Sequence, residues 1–376
     1  MTKMYSDPLS QVVFPDDEDD MWLYSRFLKG LEERQPSAST RDTSSRSNSS
    51  RIASSLPASS RIIGTSEAGR PIYGFVFGDG AVTVSLVAGA HADEPVGPNT
   101  LYRLVFEMLD APGRFEALFS RFRFLIVPHI NPDGDAANAG WITRWPDPEP
   151  FLTGMQREKP GRDIEFGYPG MRPENRAAVR FWERETAPDL HFSLHGMQFS
   201  EGFLLLVNDE WEDGSRSWRE KFKAAMREEG LPPHDHDRKG EKGFNYMGPG
   251  FTSTPKGKAM REHFLALGDP ETAGRFHLSS MEFQLGRNER ALCMVTEFPL
   301  YMIKPSCCNG VPEHYLQLKQ EWASLKEDKL EIEHLVSRFG VRPLSLGKAM
   351  RLQRQTIRRA MDLVGGSRKI NAIGDK

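Results

Sequence analysis

His91 and Glu94 stand three residues apart in SLVAGAHADEP (85–95), at the tip of an apolar run that Pro95 closes. Imidazole nitrogen and carboxylate oxygen at such a tip suit a zinc ion, which takes three protein ligands in a catalytic site and leaves the fourth position for water or substrate. H-x-x-E is a weak motif alone, since a chain with ten histidines shows about one by chance. Further apolar runs carry NPDG (131–134) after one strand, His195 at the end of DLHFSLHG, and Glu297 within MVTEFPLY. His91, Glu94 and His195 together form the two-histidine, one-carboxylate set of hydrolytic zinc sites, which make water nucleophilic at neutral pH. Glu297, on a strand otherwise too apolar for a charge, is then the general base that takes the water's proton and hands it to the leaving nitrogen. The structural alternatives are a satisfied strand-end histidine at 195 and an acid paired with a buried arginine at 297.

Other histidines read as structural. His191 lies four before His195, and on a strand that spacing separates the two by roughly 13 Å, too far to share one ion. His234 and His236, in PPHDHDRKGEKGF (232–244), fall in a polar loop and read as solvated surface near a cleft. The three cysteines, Cys293, Cys307 and Cys308, form no C-x-x-C pair, so neither a disulfide scaffold nor a thiolate zinc site is supported.

The elements that must position these residues follow from apolar periodicity. AVTVSLVAGA (81–90) is a β-branched run suited to a strand covered on both faces, and GPNTLYRLVFEML (97–109) has helical spacing after Pro98. Strands are expected at 121–130, 189–195, 203–207 and 291–298, and a helix at 173–185. Strands alternating with helices imply a parallel or mixed sheet with ligands at the carboxyl ends of its strands. Two closing helices are expected, at EHYLQLKQEWASLKEDKLEIEHLVSRF and LGKAMRLQRQTIRRAMDLV, with no motif tied to chemistry. The serine-rich segment 34–61 reads as a linker. The 376 residues carry a net charge of -3, which argues against a general nucleic-acid or anionic-membrane surface. The amino-terminal segment shows no signal pattern and no apolar stretch approaches about eighteen residues, so a soluble, cytoplasmic protein is expected by default.

Taken in order, IGTSEAGRPI (63–72), HADE, NPDG, the strand histidine and the late strand glutamate resemble the zinc metallocarboxypeptidases, peptidase family M14, over about residues 63–300. The resemblance implies a three-layer α/β/α fold with a central mixed, mostly parallel eight-stranded sheet. It also implies zinc on His91, Glu94 and His195, with Glu297 as the catalytic carboxylate. Arg144 in GWITRWP matches the oxyanion-stabilising arginine, and Tyr246 the tyrosine that closes over substrate.

The sequence departs from that family where substrate carboxylate is gripped. In GRDIEFGYPG (161–170), Glu165 and Phe166 stand at the asparagine and arginine positions of D-x-N-R, and Asp93 replaces an arginine beside the ligand. An acid repels a carboxylate that a guanidinium would clamp. Three readings stay open: a shifted clamp from Arg162 or Arg176, a leaving side without a free carboxylate whose cationic group Glu165 could pair with, or lost peptidase activity. The domains expected are 1–62 (helix and linker), 63–310 (catalytic) and 311–376 (helices packed on it). The function expected is zinc-dependent hydrolysis of a peptide or amide bond. The alternatives are an N-acyl amino acid deacylase, resembling aspartoacylase or succinylglutamate desuccinylase, and a non-catalytic binding protein. The partner is then a peptide or acylated small molecule, with oligomeric state undetermined.

Overall fold

A computed structural model of the chain describes residues 8–9, 15–34, 60–306, 309–325 and 329–374. The serine-rich segment, apart from its ends, lies outside the described residues, as do Cys307 and Cys308. The strands are β1 (Arg61–Thr65), β2 (Pro71–Phe77), β3 (Val82–Ala88), β4 (Phe122–Val127), β5 (Leu190–Ser200), β6 (Leu204–Val207), β7 (Tyr246–Gly248), β8 (Phe251–Ser253), β9 (Leu292–Met302) and β10 (Arg342–Pro343). They join in one sheet in the order β1-β2-β4-β3-β5-β9-β6-β8-β7, with β10 on β9. Neighbours along β4-β3-β5-β9 run parallel, and antiparallel pairs flank them.

The helices are α1 (Tyr24–Arg34), α2 (Val96–Asp110), α3 (Glu116–Phe119), α4 (Pro132–Ile142), α5 (Pro148–Gly154), α6 (Pro173–Trp182), α7 (Arg216–Glu228), α8 (Gly257–Ala266), α9 (Pro270–Ala273), α10 (Ser280–Arg287), α11 (Glu313–Ala323), α12 (Lys329–Phe339) and α13 (Leu346–Gly374). Strand alternation sorts them into two layers. Val84 and Leu86 of β3 and Phe124 and Ile126 of β4 pack with α1, α2 and α13 in one core, while Val87, Leu125 and Val127 pack with Ala177, Ala178 and Trp182 of α6 in another. The three-layer α/β/α architecture expected from the sequence is the one observed.

Three details differ from expectation. The sheet has ten strands rather than the eight that the resemblance implies, and β7, β8 and β10 are two or three residues long, too short to show alternation in sequence. The first closing helix is split into α11 and α12: at its end the Ser324 hydroxyl donates to the Glu321 carbonyl, competing with the helical backbone bonds there. His195 does not end its strand. Pairing with β3 stops at Ala88–Leu194, but β5 and β9 continue together to Ser200–Met302, so His195 and Glu297 sit as direct register partners just past the end of β3.

Candidate metal centre

The chain leaves β3 through Gly89, at φ +76°, where a side chain would meet the His129 ring. His91 and Glu94 lie in the turn that follows, before α2. Helix α2 begins hard against β5: a Cβ on Gly97 would stand 2.3 Å from the Leu194 carbonyl oxygen. Asn138 of α4 donates to the Ala92 carbonyl at 3.1 Å and fixes the turn from its other side. NPDG itself starts α4, with Asn131 accepting from the Gly134 amide at 3.0 Å as N-cap and Pro132 at the first helical position.

These constraints bring His91, Glu94 and His195 together with one ligand atom from each inside 4.8 Å. His91 Nδ1 is 2.9 Å from Glu94 Oε1, His195 Nδ1 is 2.8 Å from Glu94 Oε2, and the two Nδ1 atoms are 3.0 Å apart. Two imidazole nitrogens aimed at each other and at a carboxylate are what a tetrahedral cation with Zn–N distances of roughly 2.0–2.1 Å requires of its ligands, so the donor set fits zinc. On the far side of the ring, His195 Nε2 lies 3.0 Å from Glu165 Oε2 and 2.8 Å from Ser193 Oγ. An ionised carboxylate only accepts, so Nε2 donates to Glu165, and a metal bound at Nδ1 would take the place of the proton that faces Glu94.

The charges support a cation at this place. Burial works to lower His195, but Glu94 and Glu165 outweigh it and hold the ring well above its ordinary value. Burial works to raise Glu94, but His91, Arg157 and His195 hold it well below the carboxylate range. Glu297 is pushed up to about 7, by burial first and by Glu94 second, against the pull of His195 and His91. Arg157 is raised, its burial outweighed by Asp93 and Glu94, to which it donates at 3.4 and 2.9 Å.

The centre opens into a cavity of about 480 Å³, the size of a small-molecule site, with Glu297, Arg157 and Glu165 in its lining. The structure places four residues singled out in the sequence elsewhere. Arg144 is exposed and its Nε donates to the Gly140 carbonyl of the preceding helix, α4, at 2.9 Å. Tyr246 is outside the cavity lining and its hydroxyl donates to Asp235 at 2.6 Å. Arg162 is exposed and pairs with Glu67 at 3.2 Å, and Arg176 donates to the Gly170 carbonyl at 2.9 Å. Glu165 does line the cavity, but its partner is His195.

Two residues at the centre match no motif in the sequence. Arg157 sits in a loop without periodicity, and only the unpaired acid Asp93 beside Glu94 hinted that a guanidinium was needed. Gln353 of α13 is fully buried and its Nε2 donates to the His195 carbonyl at 3.0 Å and to Thr296 Oγ1 at 3.1 Å. His234, expected in solvent, is fully buried, its ring 4.9 Å from that of Tyr315; α11 covers a loop whose polar sequence concealed this.

Fold and site together define an α/β protein with a ligand set of the hydrolytic zinc type. Within that class, the profile of the zinc carboxypeptidase family matches residues 50–147, the stretch that contains His91, Glu94 and NPDG, so the resemblance expected from the sequence is found there. No curated protein matches. Among solved structures, a metallo-carboxypeptidase from Burkholderia cenocepacia is similar at 13% identity and TM-score 0.46, covering 90% of this chain and 68% of that one. A metallo-carboxypeptidase from Pseudomonas aeruginosa, in complex with (2-guanidinoethylmercapto)succinic acid, is similar at 16% identity and TM-score 0.45, covering 80% and 64%. No helix among the described residues is long and apolar enough to cross a membrane.

Proposed function

We propose that this protein hydrolyses a peptide or amide bond in the manner of the zinc carboxypeptidases. The observation that carries the reading is the convergence of His91, Glu94 and His195 beside Glu297, on paired positions of two adjacent strands, at the base of one cavity. Zinc held there would polarise the scissile carbonyl and activate water. Glu165 fixes the His195 ring in the tautomer that binds. Glu297 takes the proton of the attacking water and returns it to the leaving nitrogen; a carboxyl poised near neutrality is matched to both steps. Arg157, rather than Arg144, is the guanidinium of the cavity that lies beside Glu94, and it stabilises the oxygen on which negative charge develops.

The experiment is zinc analysis and hydrolysis of a panel of peptides and N-acylated amino acids by the wild type and the Glu297→Gln variant. About one zinc per chain in both proteins, with turnover lost by roughly 10²–10⁴-fold in the variant, is the expected result. Release of a carboxy-terminal residue marks a carboxypeptidase, and release of an acyl acid marks a deacylase. A wild type that takes up no zinc would end the reading.

A further inference from the structure

The same cavity carries a second charged group, of opposite sign to the carboxylates around the metal centre. Arg238 and Lys242 come from the loop between α7 and β7, and Lys319 from α11. Two of the three head groups are held by aromatic rings of the same lining: the Arg238 guanidinium lies 4.1 Å from the centre of the Phe244 ring and the Lys319 ammonium 5.5 Å from that of Tyr315. Among the described residues, Glu241, 3.9 Å from Lys242, is the only acid within ion-pair reach of the three. The other acids of the loop are engaged elsewhere: Asp237 binds Lys239 at 2.6 Å, and Asp235 accepts from the Tyr246 hydroxyl at 2.6 Å and the Gly310 amide at 2.9 Å.

Gathering these cations costs stability. Burial first, then Arg238 and Lys319, lowers Lys242 against the support of Glu241, and burial with the same two cations pushes His236 down to about 4. Lys242 also stands at φ +56°, in the left-handed region that a non-glycine side chain disfavours. A concave wall of like charges held on strained backbone and short of a counter-charge is built for an anion that arrives with the ligand.

We propose that Arg238, Lys242 and Lys319 bind a carboxylate of the substrate, so that the favoured substrates carry one, terminal or acidic side chain, near the scissile amide. The inference rests on the hydrolase reading for the word substrate, but the wall itself binds whether or not turnover occurs. It supplies the guanidinium missing from the position of Phe166, which neither Arg162 nor Arg176 provides.

Calorimetric titration of the Glu297→Gln protein with three ligands tests it: N-acetyl-Gly-Glu, N-acetyl-Gly-Gln and N-acetyl-Gly-Gln-amide. A loss of about ten- to hundredfold in affinity between the second and third identifies the terminal carboxylate, and the same loss between the first and second identifies the side chain, as expected for removal of a hydrogen bond to a charged group. Either loss must vanish when Arg238→Met and Lys242→Met are added. Lys319→Met, at an exposed helix position, is a second variant whose folding is not in doubt and must shrink the same difference. Equal affinity for all three ligands, no binding of any, or a difference that survives all the substitutions would overturn the proposal. Intact carboxylate-dependent binding without turnover in the wild type would instead overturn the hydrolase reading and leave this one standing.

Discussion

Two guanidinium groups separate what a side chain is near from what a pattern says it should be near. Arg144 matches a motif and donates to the helix that precedes it, whereas Arg157 matches none and contacts Asp93 and Glu94. Arg157→Met should therefore lower kcat by about 10²–10³-fold, the effect of losing one donor to a developing oxyanion, and Arg144→Met should leave it within about twofold. Steady-state rates at saturating zinc check this, with bound zinc measured in parallel because Arg157 also neutralises Glu94. Glu165 tests a different property. It positions His195 without being one of the three ligands, so Glu165→Ala should weaken zinc about 10–100-fold while excess zinc restores much of the rate. A competition titration with a chelator reads the affinity, and an unchanged value would assign Glu165 to packing alone.

At the scale of elements, the centre is an intersection. Strand β3 stops at Ala88 while β5 and β9 run on, which leaves His195 and Glu297 open to the turn that carries His91 and Glu94. The ladder is held from behind by α13, through Gln353, whose Oε1 also accepts from Thr100 Oγ1 of α2 at 2.6 Å. One buried amide thus ties both ligand-bearing segments to a helix from the end of the chain. Gln353→Leu leaves the His195 carbonyl and Thr100 hydroxyl without that partner, and should cost about 1–3 kcal/mol in urea unfolding. Gln353→Glu keeps the acceptor for Thr100 and should recover less than half of the loss, since it buries a charge in place of the donor.

For the whole molecule, two buried histidines, His234 and His191, weaken the fold in acid. Burial holds His234 and His191 at about 3 against an ordinary value of 6.5. Between those limits the unfolded chain binds protons that the folded chain does not, so stability is full above about pH 6.5 and falls as pH drops toward 3. Each such group removes about 2 kcal/mol by pH 5. His234→Phe deletes one of them, and should flatten the decline of the urea midpoint between pH 7 and pH 5 relative to the wild type. Parallel curves for the two proteins would show that His234 titrates with the unfolded value in the folded state as well.

Some of this was determined by the sequence alone. The continuous apolar run of 81–90 marks a strand covered on both faces, and the apolar setting of Glu297 marks a charge with a task, because hydrophobic periodicity and the cost of a lone buried acid are local properties of the chain. The spacing of His91 and Glu94 belongs with them, as does the placement of His195 on a strand. Only the tertiary structure decided which cations serve the site. Arg157, Arg238 and Lys242 lie in loops, where no periodicity ties a side chain to a face, and Lys319 and Gln353 lie on helices whose target, not their pattern, gives them meaning. Register decided the rest: with side chains alternating every residue along a strand, a slip of one between β5 and β9 would have sent Glu297 to the opposite face from His195. That pairing joins residues 102 positions apart along the chain, a separation across which local sequence carries no signal.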